Sequence, residues 1–245
     1  MGDADTLDEQ LPAADADAEA DRSARLDHRF EKFEAILLAI AAILTAWTAF
    51  QATKWGGVQA DSYSRAGAAR VESVRASDRA GQFTAIDVGT FTSWLAAVAA
   101  DERAGLDSGL GDDGYTPQEG TESAFVHGRL RPEFLVAFDA WLATTPRLDP
   151  DAPPTPFVMP DYVLADSETA AELQQQAEDY SSAARTANQD GDNYVMMTIM
   201  FALVIVLVGI GNKMDTIKPR TFLVGLATIV LVGAVVTVLT FPIEV

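Results

Sequence analysis

Glu31 to Trp55 read EKFEAILLAIAAILTAWTAFQATKW. The run from Phe33 to Phe50 holds one charge, Glu34, at its entrance, and it ends wet at Gln51, Thr53, Lys54 and Trp55. A helix crosses a bilayer with about 20 apolar residues, each rising about 1.5 Å. The run therefore reads as a membrane span. It begins behind an acidic leader, and no small-x-small cleavage site follows it, so we expect a retained anchor rather than a cleaved signal peptide.

Working outward, two more runs are as greasy. Tyr194 to Gly211 is one, and Thr221 to Phe241 is the other, closed by Pro242. The third run carries no charge. The mean hydropathy of +0.09 hides these runs because it averages them with a polar leader and middle. Lys and Arg near span ends set orientation. Arg22, Arg25, Arg29 and Lys32 crowd the start of the first span, and Lys213, Lys218 and Arg220 fill the turn between the second and third. Both groups are expected in the cytoplasm. The order is then a disordered leader 1–27, span 28–55, an extracytoplasmic domain 56–193, span 194–211, a cytoplasmic turn 212–220, span 221–241 and an outer tail 242–245. A bacterial plasma membrane is the expected location.

Small residues recur along the first helix at steps of three and four: Ala35, Ala39, Ala42, Ala46, Ala49, Thr53, Gly56 and Ala60, then Tyr63, Gly67, Val71 and Val74. That spacing places them on one helix face. In lipid, close backbone approach between small residues drives helix association. A second stripe runs through Leu173, Ala177, Tyr180, Ala184, Ala187, Gly191, Tyr194 and Thr198. We expect an all-α membrane protein. Two long antiparallel helices would continue from spans 1 and 2 into a helical bundle outside the cytoplasm and pack along these stripes. Lys54 and Asp192 would pair across them at the bilayer edge.

Two shorter amphipathic pieces lie between the long helices. Phe83 to Arg103 carries Phe91, Trp94 and Val98, with a break from the first helix expected near Asp87 to Gly89. Pro132 opens the other piece, with Phe134, Phe138 and Trp141 on one side. Trp94, Phe138 and Trp141 form either a core or the wall of a ligand pocket. The Gly- and acid-rich segment 105–123 reads as a mobile loop. Segment 146–160 has six prolines and reads as extended, with Phe157, Met159 and Tyr162 able to pin it to the helices.

Chemistry is scarce. The net charge of −19 excludes a phosphate-neutralising nucleic-acid surface. The absence of cysteine excludes disulfides and thiolate sites. Two histidines placed on opposite sides of a membrane do not share a metal, and Asp107, Asp112 and Asp113 miss the spacing of a calcium loop. Phosphate-binding, zinc-protease and nucleophile-elbow motifs are absent, and we expect no catalysis, cofactor or metal. No ionisable residue sits at mid-depth in a span, which counts against a transporter. Thr45, Thr48 and Thr198 are the polar groups inside the first two spans.

Glu31 to Trp55, followed by a helical domain and a two-span hairpin, resembles a group of uncharacterised three-span bacterial membrane proteins. The resemblance is one of architecture; it implies a multi-pass plasma-membrane protein and no particular activity. We expect a non-enzymatic protein that meets a partner or a second copy of itself through its outer helical domain. The alternatives are a sensor-like, ligand-binding domain that signals through a separate protein, and an accessory subunit of a transporter or envelope complex.

Overall fold

A computed structural model of the chain describes Arg25, residues 28–112, 114–214 and 216–245 with their side chains. The leader 1–27, expected to be disordered, lies outside the described residues apart from Arg25. The elements are α1 (Asp5–Arg103), α2 (Glu122–His127), α3 (Pro132–Leu142), a 3-10 turn (Pro156–Val158), α4 (Ala165–Gly211) and α5 (Ile217–Val238). The described residues hold no strand, only an isolated antiparallel bridge between Leu110 and Tyr115. Three of the helices, α1, α4 and α5, are long and apolar enough to cross a membrane. The 22 residues of α5 span about 33 Å, slightly more than the hydrocarbon core.

The chain divides into two compact units, residues 1–62 with 182–245, and residues 63–181. In the first unit the core is Leu37 and Ala41 from α1, Phe201, Val204 and Val208 from α4, and Ala227, Leu231, Ala234 and Val238 from α5. The cluster mixes alanines from α1 and α5 with Phe201 and the branched side chains of α4.

In the second unit α1 buries Ala66, Ala69, Ser73, Ala76 and Ala80 in turn. The matching part of α4 meets it through three hydrogen bonds, from Ser73 Oγ to the Ala170 carbonyl at 2.8 Å, from Arg70 Nη2 to Ser181 Oγ at 2.6 Å and from Arg79 Nε to Asp166 Oδ1 at 3.0 Å. Beyond Ala80 the same face of α1 turns aromatic. Phe91, Trp94 and Val98 pack with Leu130, Phe134, Phe138, Trp141 and Leu142.

The break expected near Asp87 to Gly89 is absent, since α1 runs unbroken to Arg103. Gly89 costs a helix interior only about 1 kcal/mol, and the carboxylate of Asp87 is occupied by tertiary partners instead of capping a helix end. Continuing the helix also keeps Phe91, Trp94 and Val98 on the buried face. Pro132 does open α3 at its first turn. Segment 105–123 folds back on itself: Thr116 N–H donates to the Gly109 carbonyl at 2.8 Å and Gly111 N–H to that of Gly114 at 3.0 Å. Gly109 has φ +75°, and a Cβ there would lie 1.9 Å from the Thr116 carbonyl oxygen, so only glycine closes this turn. The proline segment is anchored by Trp141, whose Nε1–H donates to the Pro153 carbonyl at 2.7 Å. Phe157, Met159 and Tyr162 pack against the aromatic cluster.

Candidate functional site

The small-residue stripe of α1 is not the face this chain packs on itself. Ala35, Ala39, Ala42, Ala46, Ala49, Gly56, Ala60 and Tyr63 are all exposed. The buried face is offset and runs Glu34, Leu37, Ala41, Thr48, Gln51 and Ser62, also at steps built from three and four. The physical reason is polar. Glu34 and Gln51 would be unsatisfied against hydrocarbon and find partners at the start of α5 and in the segment after it; Thr48, whose hydroxyl already bonds the Leu44 carbonyl one turn back, also meets Thr198 on α4. On α4, Ala177, Ala184 and Ala187 are buried and Tyr180 is half-buried, with the Arg65 guanidinium 6.0 Å over its ring.

Within the first unit the polar partners gather at two levels and one point between. Arg220, at the start of α5, grips Glu34 with two parallel hydrogen bonds of 2.9 Å each. The pair is nearly dry, with side chains 19% and 1% exposed. The bidentate fork is the strongest geometry available to these groups. At the opposite end of the same apolar stretch, the segment after α5 is held by α1 and α4. Gln51 exchanges two hydrogen bonds with the main chain of Glu244, at 3.1 and 3.0 Å. Trp55 Nε1–H and Tyr194 O–H both donate to the Pro242 carbonyl, at 3.3 and 3.0 Å. Between these levels, Thr198 Oγ1 and Thr48 Oγ1 lie 2.9 Å apart and join α4 to α1.

Lys54 and Asp192 do not pair. Lys54 Nζ donates to the main-chain oxygen of Val245 at 3.1 Å, and Asp192 accepts from Asn188 Nδ2 at 3.0 Å. Asn188 lies one helical turn before Asp192 and satisfies it locally, while the 242–245 segment reaches Lys54 first.

Among the described residues, the second unit holds two buried carboxylates, Asp87 and Asp101. Asp87 is fully buried. Arg131, the residue before α3, donates Nε and Nη2 to its two oxygens at 2.9 and 3.0 Å. Tyr162 O–H donates to Asp87 Oδ2 at 3.0 Å. The same guanidinium stacks 4.3 Å over the Phe83 ring. Hydrogen bonding to Asp87 pushes the Arg131 pKa up, and burial raises the Tyr162 phenol. Arg131 and Tyr162 thereby keep their protons, which suits a clasp and not a proton donor. The clasp joins α1, the start of α3 and the proline segment. Asp101 plays a smaller part of the same kind. Its carboxylate accepts from Glu122 N–H at 3.1 Å and Ser123 N–H at 2.9 Å at the start of α2. Hydrogen bonds from Ser123 hold its pKa below the usual carboxylate range.

Trp94, Phe138 and Trp141 come together. Trp94 and Phe138 meet edge to face at 4.8 Å, and Phe91 meets Trp141 likewise at 5.3 Å. Such pairs add about 0.5–1.5 kcal/mol each beyond area burial. Phe138 is wholly core, whereas Trp94 and Trp141 also line a cavity of about 190 Å³. Its other walls include Val98, Leu142 and Ala99, and its rim carries Glu102, Asp112 and Arg147. Sequence pattern found the two tryptophans, but the cavity depends on how segment 105–123 and the end of α3 fold over them. Among the described residues no group of three His, Asp or Glu side chains is placed to hold a metal.

No protein-family pattern, curated protein or solved structure matches the chain significantly.

Proposed function

We propose that this chain is a non-enzymatic, multi-pass membrane protein of a bacterial plasma membrane. Its residues 56–193 form a helical domain outside the cytoplasm that meets a membrane partner or a second copy. The observation that carries this reading is an exposed face of α1. Ala35, Ala39, Ala42, Ala46 and Ala49 lie open beside a bulky stripe that includes Ile36 and Ile43, 58% and 69% exposed. Lipid is well served by the isoleucines. A line of alanines offers lipid little and offers another helix a close approach. Past the apolar stretch, Tyr63, Val71 and Val74 remain 46%, 51% and 59% exposed on the same helix. There the surrounding medium is water, and a partner would cover them more favourably.

Orientation rests on charge. Arg25, Arg29 and Lys32 precede the first span, and Lys213, Lys218 and Arg220 lie between the other two. The Glu34–Arg220 pair supports placing both groups on one side, because it ties the entrance of the first span to the entrance of the third. Three antiparallel crossings follow, with the long excursion on the outer side. A sensor-like reading draws on the cavity between Trp94 and Trp141; an accessory subunit of a larger complex would use the same alanine face.

The chain has no cysteine of its own, so single cysteines test the assembly directly. Under mild oxidation in native membranes, Ala46→Cys should give a disulfide-linked dimer, or a covalent adduct with another membrane protein, and Ile43→Cys should not. A chain that stays uncoupled at positions 39, 42, 46 and 49 overturns the reading.

A further inference from the structure

Beside the clamp on residues 242–245, the first unit carries an open groove of about 400 Å³. Phe50, Lys54, Val58 and Asp61 of α1 line one wall, and Glu244 stands on the other. Gly57 leaves the middle of the α1 wall without a side chain. The chemistry changes in order along the helix. Phe50, 57% exposed, closes the apolar run. Lys54 follows about one turn later, some 6 Å further along the axis, and Asp61 about two turns beyond it. Trp55 and Tyr194 meet at the Pro242 carbonyl at the same end of the run. Aromatic rings with one polar atom belong where hydrocarbon gives way to headgroups.

A phospholipid presents a matching order of acyl chain, phosphate and headgroup substituent. The Lys54 stem can lie along apolar surface while its ammonium reaches outward. That ammonium has three donors. One goes to the main-chain oxygen of Val245 at 3.1 Å, which leaves two for a phosphate. The balance of charge then selects among headgroups. One cation faces two carboxylates in the groove, whereas lipid sites for anionic headgroups are basic. A groove of this balance disfavours a headgroup without positive charge and suits a phosphate followed by an ammonium. A primary ammonium brings three N–H donors to carboxylates; a trimethylated one brings none.

We propose that this groove binds one phospholipid with a primary-ammonium headgroup, its phosphate held by Lys54 and its ammonium by Asp61 and Glu244. The inference rests on the membrane-spanning reading of α1. It does not rest on orientation or assembly, because the groove meets a bilayer surface whichever compartment it faces.

The test uses the full chain purified in detergent. Native mass spectrometry counts bound lipid, and the thermal midpoint reports its effect. The probes are dioleoyl phosphatidylethanolamine, phosphatidylcholine and phosphatidylglycerol, with soluble glycerophosphoethanolamine beside them. One phosphatidylethanolamine should bind about tenfold more tightly than either other lipid, the size expected for charge-assisted hydrogen bonds, and should raise the midpoint. Glycerophosphoethanolamine, lacking acyl chains, should bind far more weakly. Lys54→Met should weaken all three lipids. Asp61→Asn combined with Glu244→Gln should bring phosphatidylethanolamine to the level of phosphatidylcholine. If that double variant fails to fold, Glu244→Gln alone should remove part of the preference, since Gln51 still holds the main chain there. The proposal is overturned if either other lipid binds the parent as tightly, if the carboxylate variants keep the preference, or if Lys54→Met changes nothing. It is also overturned if the soluble headgroup matches the lipid, which would make the groove a site for a free metabolite. A chain that stays in solution without detergent would overturn the membrane reading itself; a detergent-dependent chain with no lipid preference overturns only the groove.

Discussion

Asp87 is fully buried, and everything it needs has to come from the protein. Arg131 supplies charge and two donors, Tyr162 a third. Removing one member of a dry ion pair costs more than the pair contributes, because the other charge is stranded. Asp87→Ala should therefore destabilise the second unit by about 3 kcal/mol, the low end of the usual range, since Arg131 keeps 19% exposure and can reach water. Tyr162→Phe keeps the ring against Phe134 and Phe157 and should cost about 1 kcal/mol. Denaturant midpoints of the two variants check the ratio; equal losses would mean the charge contributes nothing special. His127 sets a pH dependence. Burial among Tyr115 and Phe138 holds its pKa below the ordinary value, and Asp139 opposes this only in part. The folded chain thus binds its proton less readily than the unfolded chain. Its contribution to stability is complete above about pH 6.5 and is lost as the pH falls through that value toward the lower folded pKa. The thermal midpoint of the parent chain should drop between pH 7.5 and pH 5.5 by more than that of His127→Phe.

The helix is the next scale, and α1 shows how adjacent faces of one element divide their work. Ala41 is fully buried against the first unit's core, while Ala42 is exposed. Ala41→Leu forces a larger side chain into a filled space and should cost about 1–3 kcal/mol. Ala42→Leu should leave the melting of the isolated chain unchanged and weaken only its association with another helix. Both are read by melting in detergent and by cross-linking in membranes. This contrast also explains what could be read in advance. The three apolar runs were plain from length and charge alone. The face that packs internally was not, because alanine occupies two neighbouring heptad-like series on α1 and small size fits either. Glu34, Thr48, Gln51 and Asp87 were the residues that marked the buried series. Their meaning depended on Arg220, Thr198, Glu244 and Arg131, partners at least 44 residues away. Likewise the continuity of α1 past Gly89 follows from the occupation of Asp87, which local propensity does not contain. The tryptophans of the cavity were visible as an aromatic pattern, but the empty space between them was not, since cavities belong to loops and to the fit between elements.

At the scale of the whole molecule, the apolar stretch of α1 is tied at both ends. Glu34 meets Arg220 at one end, and Gln51 and Trp55 hold residues 242–244 at the other. These ties fix which helix ends lie together, and the proposed topology then makes a joint prediction. Glu34→Arg alone places two like charges in a dry contact and should lower the thermal midpoint. Adding Arg220→Glu restores the attraction with the partners exchanged and should recover most of the loss; failure to recover would mean that the two ends do not meet in the membrane. Labelling then decides which side they occupy. In the cysteine-free chain, Glu119→Cys sits in the second unit and Asn212→Cys in the turn after α4, and both positions are exposed. A membrane-impermeant maleimide added to intact spheroplasts should label Glu119→Cys and reach Asn212→Cys only after the membrane is opened. The reverse pattern would invert the orientation while leaving the Glu34–Arg220 result intact, because the charge swap reports on which ends are neighbours and the label reports on which compartment surrounds them.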